Sequence, residues 1–281
     1  MAPKNDIQRA DPSRFNPFRE NNVLPKLRAD ITITDDTLIV YAASAFFPVT
    51  GAILQSVLAP SAFSGERFRK YSTMDGYKAL IEGRCDFFVA TGPSTGQREE
   101  MDRSGLRFRE ITLLEEPLAF LVNRENPVDG LESGQIRAMY EGKLTNWREA
   151  GGPDLPVTPY QLEEGNGSRS AFARVTDARD PLGQIEVRTM PEMVDAAAEN
   201  PGGISYTFLS YYTKMYANRK TKILNIDDRG PWACDYPFLF PLYLFSRADN
   251  EKPSVRTLCD WVQTPEGREI IRRGNACWRT V

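Results

Sequence analysis

The chain has 281 residues, 41% of them hydrophobic and 26% charged, a composition that excludes disordered, collagen-like and low-complexity classes. Its 35 basic and 38 acidic side chains leave a net charge of −3, so bulk charge gives no case for nucleic acid. There is no histidine, which removes Ser-His-Asp triads, Cys-His dyads and His-ligated metals together.

Residues 1–36 read as an irregular arm, because Pro3, Pro12, Pro17 and Pro25 break any period. Phe15, Phe18, Val23, Leu24 and Leu27 predict that the arm lies on a folded body. The run Thr37 to Tyr41 predicts a first strand, followed by a small-residue turn from Ala42 to Ala45 and a helix through Val49, Ile53, Leu54 and Val57. A second strand at Phe68 to Tyr71 leads through Ser72, Thr73, Met74 and Asp75 into a helix carrying Tyr77, Leu80 and Ile81, ended by Gly83. Asp86 to Ala90 is a third strand, running into Thr91, Gly92, Pro93 and Ser94. Leu118 to Val122 has the length of a buried strand, and no run approaches the roughly 18–20 apolar residues of a membrane span.

The middle repeats this grammar. Leu131 to Tyr140 predicts a helix, Gly142 to Trp147 a loop, and Pro156 to Tyr160 a strand entering the turn Glu164 to Ser170. Helices follow through Ala171, Phe172 and Val175 and over Met193 to Ala198, the latter stopped by Asn200, Pro201, Gly202 and Gly203. Strands at Ile204 to Tyr206 and Pro241 to Phe245 precede a helix through Leu258, Trp261 and Val262, restarted by Pro265, Glu266 and Gly267. No internal sequence repeat stands out. Apolar strands alternating with helices predict an α/β fold with a largely parallel sheet.

Three strand-to-helix turns share a chemistry. Ser44, the pair Ser72 and Thr73, and the run Gly167, Ser168, Arg169, Ser170 place hydroxyls and backbone N–H groups at helix starts, where unsatisfied donors and partial positive charge suit an anion. Each alone also reads as a plain N-cap. Enzyme signatures are thin: Gly165 to Ser168 lacks the Lys-Ser/Thr end of a P-loop, and no nucleophile–base pair is evident. The acidic neighbours Asp35-Asp36, Glu115-Glu116 and Glu163-Glu164 read as solvated loop charge, since adjacent residues of a strand face opposite ways. Phe46 and Phe47 read as core, with a place at a ligand cleft left open. Cys85, Cys234, Cys259 and Cys277 form no CxxC pair, so neither a metal nor a redox cofactor is implied. They are compatible with two disulfides, Cys259 to Cys277 first, or with free thiols. The N-terminus is polar, without a signal-peptide core.

In order along the chain, several segments are similar to the PstS-like family of type 2 solute-binding proteins, which serve phosphate ABC transporters. They are Glu20 to Asn22, Ser44 to Pro48, Gly76 to Gly83, Phe120 to Val128, Tyr140 to Trp147, Glu164 to Ser168, Asn200 to Ile204 and Pro241 to Leu244. The resemblance implies a two-lobed type 2 periplasmic-binding-protein fold with mixed, mostly parallel sheets and two crossing hinge strands, at Phe120 to Asn123 and Tyr236 to Leu242. It implies an arm at 1–36, one lobe from 37–119 with 243–281, and a second from 120–242. A small anion, phosphate first, would be held in the cleft between lobes by Ser44, Ala45, Phe46, Ser72, Thr73, Thr91, Gly167, Ser168, Arg169 and Ser170. The partner implied is an ABC transporter permease, and the setting is extracytoplasmic, with a tether outside this sequence. Two disulfides gain support in that compartment.

Departures from the family narrow this picture. Phosphate-binding members carry an Asp in the loop where this chain has Thr91 to Ser94, and an Arg where it has Leu162, Glu163 and Glu164. The second turn reads Thr73-Met74-Asp75-Gly76 instead of Gly-Ser-Gly, and Arg169 is the one cation placed to stand in for the lost Arg. Another small oxyanion therefore stays open beside phosphate. The reading from a different class is a ligand-free or sensory interaction module on the same fold. An enzyme is disfavoured.

Overall fold

The structure is a computed structural model that describes residues 7–62, 67–175 and 184–275. The chain divides into two compact units, one of Met1–Ala10 with Glu116–Phe240 and one of Asp11–Glu115 with Pro241–Val281. It therefore passes between units three times. The first element, β1 (Ile7–Arg9), adds to the 116–240 unit, and the rest of the arm joins the other.

In the second unit, β2 (Val40–Ala43) is followed by α1 (Phe47–Val57), β3 (Phe68–Tyr71), α2 (Thr73–Ile81), β4 (Phe87–Thr91) and α3 (Thr95–Arg103). β2 lies between β3 and β4 and is parallel to both. All four residues of β2 and all five of β4 are buried, which explains why these strands read as continuous apolar runs. Gly83 sits at φ +69° just past α2, the left-handed position that ends helices. The arm packs on α1: Phe15 and Leu24 are buried, and a Cβ on Gly51 would lie 2.3 Å from the Phe15 carbonyl oxygen.

The long strand β5 (Phe108–Asn123) runs from the second unit into the first, and its burial changes from alternating to continuous after Glu115. The first unit continues with β6 (Gly130–Leu131), α4 (Ser133–Tyr140), β7 (Thr158–Leu162), α5 (Gly167–Phe172), β8 (Ile185–Val187) and α6 (Met190–Glu199). Then come β9 (Gly203–Phe208), α7 (Leu209–Lys214), β10 (Tyr216–Asn218), β11 (Thr221–Ile223) and β12 (Asn225–Ile226). β7 lies between β8 and β9, parallel to both, while β5 pairs antiparallel with β9. The core of this unit is aromatic, with Tyr140, Phe172 and Tyr206 in mutual ring contact and Trp147 donating its indole N–H to the Gly202 carbonyl at 2.9 Å.

β13 (Leu239–Arg247) returns the chain to the second unit, where it pairs antiparallel with β4. α8 (Pro253–Trp261) and α9 (Pro265–Asn275) complete that unit, with α9 on α1. The mixed, mostly parallel α/β architecture expected from the sequence is therefore present.

Several expectations shift. The first strand begins at Val40 rather than Thr37, because the Ile39 N–H donates to the Asp86 carboxylate at 2.8 Å instead of to a neighbouring strand. That carboxylate, 6% exposed, also accepts from Asn250 at 2.8 Å and Lys252 at 2.9 Å. α3 was not anticipated. Cys85, Cys234 and Cys259 are free thiols, so Cys259 is not in the expected bridge, and Cys277 lies outside the described residues.

Packing sets opposite outcomes for two helical glycines. A Cβ on Gly76 would sit 2.1 Å from the fully buried ring of Phe88, whereas one on Gly96 meets nothing within 4 Å. Gly76→Ala is expected to lose about 1–3 kcal/mol by overpacking. Gly96→Ala is expected to gain up to about 1 kcal/mol of helix propensity. Urea unfolding of the two variants checks both signs.

Candidate functional site

Parallel strands joined by crossover helices start every following helix at the same sheet edge, the carboxyl edge, and helix starts present unpaired N–H groups. In the second unit β2 is central, β3 follows on one side and β4 on the other. The direction of winding reverses between β2 and β4, the kind of switch point outside which open α/β sheets bind ligands. Six candidates stand at this edge: Ser44, Ala45 and Phe46 after β2, Ser72 and Thr73 after β3, and Thr91 ending β4.

Ser44, Ala45 and Phe46 form one turn of 3-10 helix ahead of α1. Neither helix start has a side-chain cap, since the capping positions are Ala43 and Phe46. The half-buried Ser44 hydroxyl has no hydrogen-bond partner among the described residues. Phe46 and Phe47 are buried, and Phe47 stacks on Phe68 at 4.1 Å, so both serve the core. Ser72 is a true N-cap: its hydroxyl accepts from the Asp75 N–H at 3.0 Å and donates to the Asp75 carboxylate at 2.7 Å. Thr73 is buried at the first position of α2, and the Thr91 carbonyl accepts from the Tyr77 hydroxyl at 2.6 Å. Ser94 starts α3 in a capping box with Gln97, so the acid-free loop from Thr91 is built as a helix entry.

The first unit repeats the winding. β7 is central, β8 follows on one side and β9 on the other, and the Gly-rich turn follows the central strand. Gly165 at φ +83° makes the bend, and the Asn166 side chain then caps α5, accepting from Ser168 N–H at 3.1 Å and Ser168 Oγ at 3.0 Å. Gly167, Ser168 and Ser170 are buried, while Glu163 and Glu164 are exposed. Arg169 donates to the Leu162 carbonyl at 2.9 Å and pairs with Glu186. Both contacts are made by Nη1, so the guanidinium keeps N–H groups for a further acceptor. Behind the turn, Tyr206 contacts Phe172, and burial pushes its phenol above the ordinary range, so the hydroxyl stays neutral. That buried hydroxyl has no hydrogen-bond partner among the described residues.

Glu115, Glu163 and Glu164 are exposed, but Glu116 is fully buried and accepts the Ser210 N–H at 2.7 Å in the first turn of α7. In the first unit, the helix start after β9 thus holds a carboxylate from the chain itself. Asp35 is likewise no loop charge. Burial raises its pKa, but hydrogen bonds from Ser254 and Thr37 outweigh that and hold it below the ordinary carboxylate range. Sequence reading also missed Asn166 as the cap, although Asn before a Gly-Ser helix start is a capping signal. Among the described residues no group of His, Cys, Asp or Glu is arranged to hold a metal ion.

Asn166→Ala removes the α5 cap and is expected to cost about 1 kcal/mol, whereas Asn166→Asp keeps an equivalent acceptor and changes stability by less than about 0.5 kcal/mol. Denaturant midpoints of the pair distinguish capping from any other role for this residue.

Comparison with known proteins agrees with the geometry. The chain is 26% identical over 156 residues to the phosphate-binding protein PstS of Bacillus subtilis, covering 55% of this chain and 48% of that protein. It thus spans about half the length of the curated relatives it matches. Among solved structures it is similar to a provisionally named phosphate ABC transporter substrate-binding protein with bound phosphate from Clostridium perfringens. That match has a TM-score of 0.66 and 20% identity over 85% of this chain and 98% of the other. The regulatory domain of Synechocystis CcmR in complex with 2-PG shares the fold at a TM-score of 0.53 and 15% identity, over 80% of this chain and 94% of that one. A family model described as the PBP superfamily domain matches residues 48–266, most of the chain, and the protein belongs to that family.

Proposed function

We propose that the protein is an extracytoplasmic solute-binding protein that captures phosphate or a related small oxyanion and delivers it to an ABC transporter permease. The observation that carries this reading is the pair of winding reversals, each with a helix start of hydroxyls and N–H groups directly after its central strand. The residues proposed to contact the anion are Ser44, Ala45, Phe46, Ser72, Thr73 and Thr91 of one unit and Gly167, Ser168, Arg169 and Ser170 of the other. Ser44 and Ser168 lead this set, because each follows a central strand and carries a hydroxyl. Ser72 serves Asp75 first and is expected to contribute less. The PstS relative and the phosphate-bound structure support the ligand class. No helix among the described residues is long and apolar enough to cross a membrane.

Melting in the presence of phosphate, sulfate and phosphonates at fixed ionic strength tests the reading. A ligand at 100 times its Kd stabilises the fold by about 2.7 kcal/mol, and a selective rise with one oxyanion is the expected result. In calorimetry, Ser44→Ala combined with Ser168→Ala is expected to weaken that anion at least tenfold. No rise with any oxyanion would favour the other reading, a ligand-free or sensory module, which the likeness to the CcmR regulatory domain keeps in view.

A further inference from the structure

The second unit holds a cavity of about 440 Å³ between the arm and the end of α1, lined by none of the residues proposed to contact the oxyanion. Its apolar lining includes Phe18, Leu27 and Leu58, and its charged lining is Arg19, Lys26 and Arg28 against the single acid Glu20. Three cations around one cavity are notable in a chain whose net charge is −3. Among the described residues none of the three has a carboxylate within ion-pair distance, although Arg19 lowers the pKa of Asp11 from further away.

Lys26 is held in place by neutral groups. Its ammonium donates to Asn22 Oδ1 at 3.0 Å and to Gln55 Oε1 at 3.3 Å, and the Gln55 amide in turn donates to the Pro25 carbonyl at 2.7 Å. These contacts fix the charge without neutralising it and leave a donor for a further acceptor. A cleft in which one sign of charge predominates over low-dielectric walls concentrates counter-ions. The volume falls in the range of about 300–1,000 Å³ typical of small-molecule sites and exceeds what a lone tetrahedral oxyanion fills.

We propose that this cavity is a second ligand site, for a small organic anion in which a phosphate or carboxylate head meets Lys26 and Arg28 and an apolar body lies on Leu27 and Leu58. The site stands independently of the oxyanion reading above.

Phenyl phosphate is the probe, titrated into the full chain by calorimetry and followed by amide chemical shifts. Saturable binding is expected, with shifts at residues 17–28 and 55–60. Lys26→Met combined with Arg28→Met is expected to weaken it at least tenfold, while Ser44→Ala with Ser168→Ala leaves it unchanged. Both methionines replace exposed side chains, and an unaltered melting temperature confirms that the double variant is folded. The proposal is overturned if phenyl phosphate does not saturate at millimolar concentration, or if its binding survives the Lys26 and Arg28 changes. It is also overturned if binding is lost only in the Ser44 and Ser168 variant, a result that would leave the oxyanion reading standing. Equal shifts from inorganic phosphate would refute the apolar half of the site.

Discussion

The proposed anion site depends on one backbone constraint. Parallel strands cannot be joined by a tight turn, so each needs a crossover, and the crossover helix begins at the carboxyl edge of the sheet. A central strand with its successors on either side then leaves a gap at that edge where helix starts gather. The order β3-β2-β4 produces it in one unit and β8-β7-β9 in the other. The two sets share no evident sequence repeat, yet the same three-strand winding recurs. What recurs is the geometry of donors, not the residues that supply them.

Those donors are filled differently at different helix starts. Ser72, Ser94 and Asn166 spend their side chains on their own helices. At α7 the buried Glu116 supplies the negative charge internally. A helix start that already holds a carboxylate gains little from a second anion, because like charges in low dielectric repel strongly. The turn at Ser44 has no side-chain cap at either of its helix starts. Of the two helix starts after central strands, it is the one whose capping positions carry no side-chain acceptor.

Much of this frame was legible in the sequence, and the misses have physical causes. β2, α1, β3 and α2 follow a pattern of short apolar run, small or hydroxyl turn, and helical period, and Gly83 marks the α2 stop as a left-handed position. α3 escaped because its surface-lying residues give almost no apolar period: only Gln97 and Met101 are buried. Its start was nonetheless readable as the Ser94 and Gln97 capping box. Glu116 escaped because burial of an acid inside a strand leaves no trace in hydrophobic alternation; only the third dimension shows Ser210 N–H opposite it. The direction of Arg169 is likewise a tertiary fact, fixed by Glu186 on the neighbouring strand β8.

That last pair bears on the proposal that a chain without the family's Arg and Asp holds an oxyanion. The Glu186 side chain is more than half exposed, at 55%, so the Arg169 pair is a partly solvated ion pair of the kind that contributes about 0–1 kcal/mol. A hydrogen bond from a charged donor to an ionic acceptor contributes about 1.5–3 kcal/mol. The resting pair is therefore a weak restraint. Arg169 meets both Glu186 and the Leu162 carbonyl through Nη1, so the other guanidinium N–H groups are left for a further acceptor without the pair being broken. Glu163 and Glu164 sit exposed beside the same turn, where water screens their repulsion. In the proposed site the charge that the turn brings to an anion rests on one guanidinium, and the remaining contacts are neutral hydroxyls and N–H groups. Backbone N–H groups only donate, whereas serine hydroxyls also accept, so a site of that kind can take an oxyanion with or without a proton.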